Sequence, residues 1–166
     1  MRLEGEGRFV ELTISGFQFP DAAPSGGDGM GDPDWLLVRG HVRDQGREWR
    51  FEDACLTLPE ALELERWLAA TADGAAAGSD SANGGTLDFI EPVLRFEREG
   101  VDVAGSTITV VFAHEAAPPW ASDDIRFGDG HPVSFRVTRP QLRSLATRWA
   151  AEQAALPQRT SRPSGR

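Results

Sequence analysis

The chain has 166 residues, with 26 acidic side chains against 17 basic ones, all of them arginine, and a formal net charge of −9 at pH 7. Such a charge repels nucleic acid and anionic membranes, and the lack of lysine excludes a phosphate-loop lysine and a Schiff-base amine. No apolar run is long enough to span a bilayer, and the single cysteine cannot form an internal disulfide, which together favour a cytoplasmic protein.

The first half of the chain predicts three strands. Apolar and polar residues alternate over Arg8–Phe19 and again over Trp35–Arg43, as in strands with one buried face. Asp44-Gln45-Gly46 then supplies a short turn with a glycine available for a positive φ. Arg47–Asp53 returns as the third strand, so the stretch predicts an antiparallel hairpin.

A helix is predicted directly after the third strand. Thr57 and Glu60 have the spacing of a capping box, and Pro59 is tolerated in the first turn. Apolar residues then recur at helical spacing to about Ala72, before Gly74 ends the helix.

The second half predicts four more strands and one more helix. Alternating or apolar runs mark the strands, at Thr86–Ile90, Val93–Arg98, Thr107–Ala113 and Pro132–Val137. Thr138 and Gln141 repeat the capping-box spacing, and an apolar stripe follows. This order, without βαβ alternation, predicts an α+β fold: an antiparallel β-sheet of about six to seven strands with two amphipathic helices.

Segments of unusual composition interrupt these elements. Ala22–Pro33 is a long Gly/Pro/Asp loop, and Ala75–Gly85 is a low-complexity stretch that we interpret as a surface insertion. Residues 157–166 are rich in Pro, Ser and Arg and predict a disordered tail. We therefore expect a single α+β domain over residues 1–156, followed by this tail.

The candidate catalytic and metal-binding residues lack the spacing that such sites need. His114 is not followed by the second histidine of a zinc-protease helix, and His41 and His131 are distant from it in sequence. Cys55 lies between an aromatic strand and an apolar residue, where a thiol is usually buried and inert. We expect no catalytic residue, no metal and no cofactor; a small metal-binding protein is the weaker alternative.

Acidic residues and two tryptophans share the predicted loops and strand ends. Because the tail carries three arginines and no acid, residues 1–156 have a net charge of about −12. A basic partner would be attracted, and tryptophan among carboxylates is typical of a hot spot for such a partner. Alternatively, the tryptophans close the ends of the core and the acids only keep the protein in solution. The predicted partner-binding residues are Asp28, Asp32, Asp34, Trp35, Trp120, Asp123, Asp124 and Asp129.

Six segments stand in one register from residue 1 to about residue 156: M-R-L-E-G-E-G-R-F-V-E-L, F-Q-F-P, D-W-L-L-V-R-G-H-V, W-R-F-E-D-A-C-L-T, L-D-F-I-E-P-V-L-R-F and V-V-F-A-H-E-A-A-P-P-W. Together they resemble the WapI-like immunity proteins of bacteria, small cytosolic proteins that neutralise a cognate polymorphic toxin delivered between cells. The resemblance implies a non-enzymatic protein that binds a cognate toxin domain and needs no cofactor. An interaction or scaffold domain without a toxin partner is the alternative.

Overall fold

A computed structural model of the protein describes residues 1–21, 34–74, 85–100 and 105–157. In these residues the fold is α+β, as predicted, with two α-helices and eight β-strands. The strands form two antiparallel sheets of four strands each, rather than one sheet of six or seven strands. The elements are, in chain order, β1 (Arg2–Gly5), β2 (Arg8–Phe17), β3 (Trp35–Asp44), β4 (Arg47–Thr57), α1 (Leu58–Asp73), β5 (Thr86–Asp88), β6 (Leu94–Glu99), β7 (Ser106–Phe112), β8 (His131–Val137) and α2 (Arg139–Ala154).

Three segments singled out in the sequence lie outside the described residues, wholly or nearly so. They are the loop 22–33, the insertion 75–84 and the tail 158–166. The disorder expected of the tail therefore stays a prediction, as do the roles expected of Asp28 and Asp32.

The strand that the sequence analysis missed is β1, which pairs with β2 in an antiparallel hairpin. It has only four residues and one of them, Leu3, is buried. A single buried residue cannot show the alternation by which a strand is recognised in a sequence. The turn that follows uses Glu6 and Gly7 at φ values of 53° and 76°. Gln45 and Gly46 repeat this geometry between β3 and β4, at 48° and 77°. Positive φ at both central residues gives the twist that a two-residue hairpin turn requires.

Each sheet is a meander in which strands adjacent in sequence are also neighbours, in the orders β1-β2-β3-β4 and β5-β6-β7-β8. Side chains from both sheets and both helices belong to one hydrophobic core. The alternation seen in the sequence corresponds to one buried face on each of β2 and β3, formed by Val10, Leu12, Ile14, Leu36, Val38 and Val42. Because both sheets contribute to one core, the alternation within each strand does not reveal that the ladder is interrupted between β4 and β5.

Both helices begin at the predicted capping boxes. The main-chain N–H of Thr57 donates to the Glu60 carboxylate at 2.7 Å, and that of Thr138 donates to the Gln141 side chain at 2.9 Å. Gly74 follows α1 at a φ of 72° and ends it, as predicted. Neither described helix has the length and apolar character needed to cross a bilayer.

Glu152 of α2 connects that helix to the first sheet. Its Oε2 atom accepts the main-chain N–H of Ile14 at 2.8 Å, and its Oε1 atom accepts from the amino group of Met1 at 2.5 Å. The main-chain N–H of Leu12 donates to the carbonyl oxygen of Met1, and that of Ile14, two residues on, points to the same edge of β2, beyond the end of β1. The carboxylate therefore supplies the acceptor that β1 is too short to provide.

We expect Glu152→Ala to lower the free energy of unfolding by about 1–3 kcal/mol, because a partly buried donor then loses its acceptor. Glu152→Gln, which keeps one carbonyl oxygen, should lose less. Urea denaturation followed by tryptophan fluorescence measures both variants. Equal unfolding midpoints for the wild type and Glu152→Ala would show that the carboxylate adds nothing to stability.

Candidate partner-binding surface

A pocket of about 330 Å³ opens beside Trp35, and three carboxylates line it. We call it the acidic pocket, and its walls are formed by Gln18, Trp35, Asp53, Ala54, Glu91 and Glu115. No basic side chain lines the pocket, and its carboxylates form no ion pair within the described residues. Its negative charge is therefore not neutralised by the described part of the chain.

A bulge near the end of β4 shapes one wall of the acidic pocket. The register between β3 and β4 shifts between Leu36 and Leu37, which leaves Cys55 as an extra residue in β4. An extra residue breaks the alternation of faces, and Cys55 and Leu56 are accordingly both buried. Asp53, on the other side of the bulge, is left at the pocket wall.

Cys55 lies buried behind this wall. Burial raises the pKa of its thiol well above the usual range, and the negative charges of Asp53, Glu115 and Glu91 raise that pKa further. The thiol therefore stays protonated at neutral pH and is a poor nucleophile, consistent with its predicted burial. Since three carboxylates act on this one thiol, they are grouped around the same point of the fold.

Glu60 fixes the turn that carries Glu91 into the pocket. The Glu60 carboxylate is buried; its Oε2 atom completes the capping box of α1. Its Oε1 atom accepts the main-chain N–H of Ile90 at 2.6 Å. The side chain of Ile90 itself is 74% exposed. A single carboxylate thus joins the start of α1 to the connection between β5 and β6.

A second feature, the aromatic segment, comprises residues 118–130 between β7 and β8. It contains an irregular helical turn over Ile125–Asp129. Three large apolar side chains are exposed on it: Trp120 at 40%, Ile125 at 38% and Phe127 at 64%. The side chains of Asp123, Asp124 and Asp129 are exposed on the same segment.

Arg126 holds the aromatic segment in shape. Its Nη1 atom donates to the carbonyl oxygen of His114 at 2.8 Å, and its Nη2 atom donates to the carbonyl oxygen of Pro118 at 3.1 Å. The main-chain N–H of Gly130 closes the segment by donating to the Ile125 carbonyl oxygen at 2.9 Å. The segment is therefore braced by its own hydrogen bonds although its apolar side chains face solvent.

Trp120 combines the two roles that the sequence left open. Its ring meets the buried ring of Trp49 edge to face, with centroids 5.5 Å apart. Trp49 in turn donates its indole N–H to the carbonyl oxygen of Ala116 at 2.9 Å. The guanidinium of Arg47 lies 5.3 Å from the centroid of the Trp120 ring. One edge of Trp120 thus closes the core, while the rest of the side chain stays exposed.

The acidic pocket and the aromatic segment meet at one short 3₁₀ turn, His114–Ala116. Glu115 of this turn lines the pocket. His114, immediately before it, packs its ring against that of Phe127, with centroids 5.7 Å apart. The two features therefore lie on the two sides of one turn. We call them together the binding surface.

The structure groups the sequence-predicted residues on this surface only in part. Asp28 and Asp32 lie outside the described residues. Asp34 and Trp35 are half-buried, and Trp35 lines the acidic pocket. The remaining predicted residues stand exposed on the aromatic segment: Trp120, Asp123, Asp124 and Asp129.

Sequence reasoning missed five members of the binding surface, namely Asp53, Glu91, Glu115, Ile125 and Phe127. The available signal was weak: Glu91 and Glu115 each follow an apolar run closely, where a strand has just ended. That they converge on Trp35 depends on how distant strands pair, which no local pattern reports.

The histidines serve structural contacts in the described part of the chain. His131 places its Nε2 atom 3.0 Å from the Oδ2 atom of Asp44. Asp44, expected in a turn, instead ends β3 with its side chain buried. Within residues 1–21, 34–74, 85–100 and 105–157, no group of three or more His, Cys, Asp or Glu side chains is arranged to hold a metal ion.

Comparison with known proteins identifies the family. A family model, the Immunity protein WapI-like family, matches residues 1–157 of the chain. No curated protein and no solved structure matches the chain. The matched region includes all the strands and helices described above. The chain therefore belongs to the WapI-like immunity protein family.

Proposed function

We propose that the protein binds a cognate toxin domain and occludes its active site, acting as an inhibitor without catalysis and without a cofactor. Membership of the immunity family supports a toxin-immunity role in general. The negative charge and the exposed aromatic side chains of the binding surface favour a basic partner that meets this surface. The proposed partner is a basic protein domain, met in the cytoplasm, and neither nucleic acid nor a membrane.

The observation that carries this proposal is the unneutralised charge of the acidic pocket. Asp53, Glu91 and Glu115 line the same pocket as Trp35 and form no ion pair in the described residues. They add to a net charge of about −12 over residues 1–156, which attracts a basic partner over distances set by ionic strength. Solubility alone would not require these carboxylates to share a pocket with a tryptophan.

The arrangement favours occlusion over a loose encounter. A toxin that acts on an anionic substrate needs basic groups in its active site, and a set of carboxylates can occupy the place of that substrate. The hydrogen bond from the main-chain N–H of Ile90 to Glu60 fixes the backbone next to Glu91. The pocket wall that Glu91 forms is therefore in place before a partner binds. A preformed surface loses less conformational entropy when it binds.

The test requires a candidate toxin domain, which is to be sought among the genes adjacent to the gene of this chain. We expect co-expression to protect cells from that domain, and the purified pair to form a complex in which the toxin is inactive. Trp35→Ala should speed dissociation of the complex, because a tryptophan in a pocket of charges is typical of a hot spot. Biolayer interferometry measures this rate.

Leu62→Ala is the matched control, because Leu62 is an exposed apolar residue of α1 outside the binding surface. A complex in which the toxin keeps its activity would favour the scaffold interpretation instead. If the purified proteins form no complex and co-expression does not protect, the proposed function is wrong for this toxin.

A further inference from the structure

The aromatic segment concentrates exposed apolar surface. Trp120, Ile125 and Phe127 are three of the six large apolar side chains exposed among the described residues. Soluble proteins rarely group such side chains on one short segment unless something binds there. Phe127 is the most exposed of the three, at 64%.

The same segment carries three acidic side chains and one basic side chain. Asp123, Asp124 and Asp129 are exposed. Its one basic residue, Arg126, directs its guanidinium to the carbonyl oxygens of His114 and Pro118. A surface complementary to this segment is therefore apolar at its centre and positively charged around it.

Resting on the proposed function, we infer that the aromatic segment is a preformed knob that enters an apolar recess with a basic rim on the toxin domain. Phe127 and Ile125 fill the recess, and the exposed edge of Trp120 packs against its wall. The three aspartates pair with arginine or lysine side chains on the rim. The inference adds an apolar anchor to the electrostatic attraction of the acidic pocket.

Arg126 is a positioning residue in this arrangement, because it acts through the apolar side chains. Its two hydrogen bonds fix the segment before binding, which reduces the conformational entropy lost in the complex. Gly130 constrains the other end, since a Cβ atom there would lie 2.5 Å from Cγ1 of Val111. The backbone at the end of the knob therefore packs directly against the side chain of Val111.

The test uses the full chain and the same neighbouring toxin domain, carrying an inactivating substitution, in biolayer interferometry. Phe127→Ala should raise the dissociation rate at least about 30-fold, as expected for a central anchor. The control Leu62→Ala should change it less than about twofold. Replacing the three aspartates by asparagine should instead slow association several-fold, because rim charges act on encounter.

A double-mutant cycle separates positioning by Arg126 from simple stabilisation of the fold. Arg126→Ala should weaken binding about tenfold, and Arg126→Ala combined with Phe127→Ala should lose less binding free energy than the sum of the two single losses, because one of the side chains that Arg126 positions is then already gone. Arg126→Lys should restore part of the loss, because it keeps one donor. Fully additive losses would overturn the positioning role.

The outcomes distinguish this inference from the proposed function. Binding that survives Phe127→Ala unchanged overturns the knob and leaves the proposed function standing. Absence of binding by the wild type overturns both. If the wild type dimerises in sedimentation experiments and Phe127→Ala is monomeric, the recess belongs to a second copy of this chain, and the inference about the toxin is overturned.

Discussion

Trp149→Ala is expected to lower the free energy of unfolding by about 3–5 kcal/mol. Trp149 is fully buried between α2 and the rest of the core, at 0% exposure. Its indole N–H also donates to the carbonyl oxygen of Ala61 in α1 at 2.9 Å. The substitution therefore opens a cavity and removes a contact that joins the two helices. Guanidinium denaturation followed by circular dichroism measures the loss.

Two further substitutions locate the cause of this effect. Trp149→Phe keeps much of the volume and loses the N–H donor, so it should cost much less than Trp149→Ala. Trp67 lies on the apolar stripe of α1, yet it is only half-buried, and its indole nitrogen has no hydrogen-bond partner among the described residues. Trp67→Ala should therefore cost less than Trp149→Ala, although both tryptophans lie at helical spacing on the apolar stripe of their helix. Equal losses of unfolding free energy in Trp67→Ala and Trp149→Ala would mean that the burial of the tryptophan does not determine the size of the loss.

Glu91→Gln combined with Glu115→Gln is expected to slow association with the toxin domain by roughly three- to tenfold at low salt. Both side chains are exposed walls of the acidic pocket, so the amides preserve shape while two negative charges are lost. The salt dependence of the association rate should flatten as well, because fewer charges contribute to long-range attraction. The dissociation rate should change less, since steering acts before contact.

Stopped-flow association between low and physiological salt makes this measurement. Glu4→Gln combined with Glu6→Gln is a control of equal charge change at β1 and its turn, away from the pocket lining. An equal slowing by both pairs would mean that net charge alone steers the encounter. A flat salt response in the unmutated protein would contradict the electrostatic part of the proposal.

Local signals in the sequence predicted most elements of the fold because their causes are local. The turn at Gln45-Gly46 depends on two residues, and the capping boxes at Thr57 and Thr138 depend on spacings of three. The strand β1 was missed because a strand with one buried side chain shows no hydrophobic periodicity. The division into two sheets was missed because it depends on which strands pair.

The binding surface likewise has one part that the sequence predicted and one part that it did not. Trp120 and the three aspartates near it stand on one continuous segment, so their proximity was visible in the sequence. The acidic pocket instead takes Asp53 from β4, Glu91 from the connection after β5, and Glu115 from a 3₁₀ turn. Those elements meet only through the pairing of distant strands. No spacing rule applies to residues brought together in this manner.

The contacts that hold the binding surface have a consequence for how the protein can diversify. The Glu60 carboxylate accepts a hydrogen bond from the main-chain N–H of Ile90, and the Arg126 guanidinium donates to the carbonyl oxygens of His114 and Pro118. The groups that Glu60 and Arg126 bind on these loops are main-chain atoms, which every residue type supplies. The one exception is proline, which lacks the N–H needed at position 90. Side chains at the surface are therefore free to change without releasing the loops that display them. A lineage can follow a changing toxin by altering Glu91 or Phe127 while its scaffold keeps the same geometry.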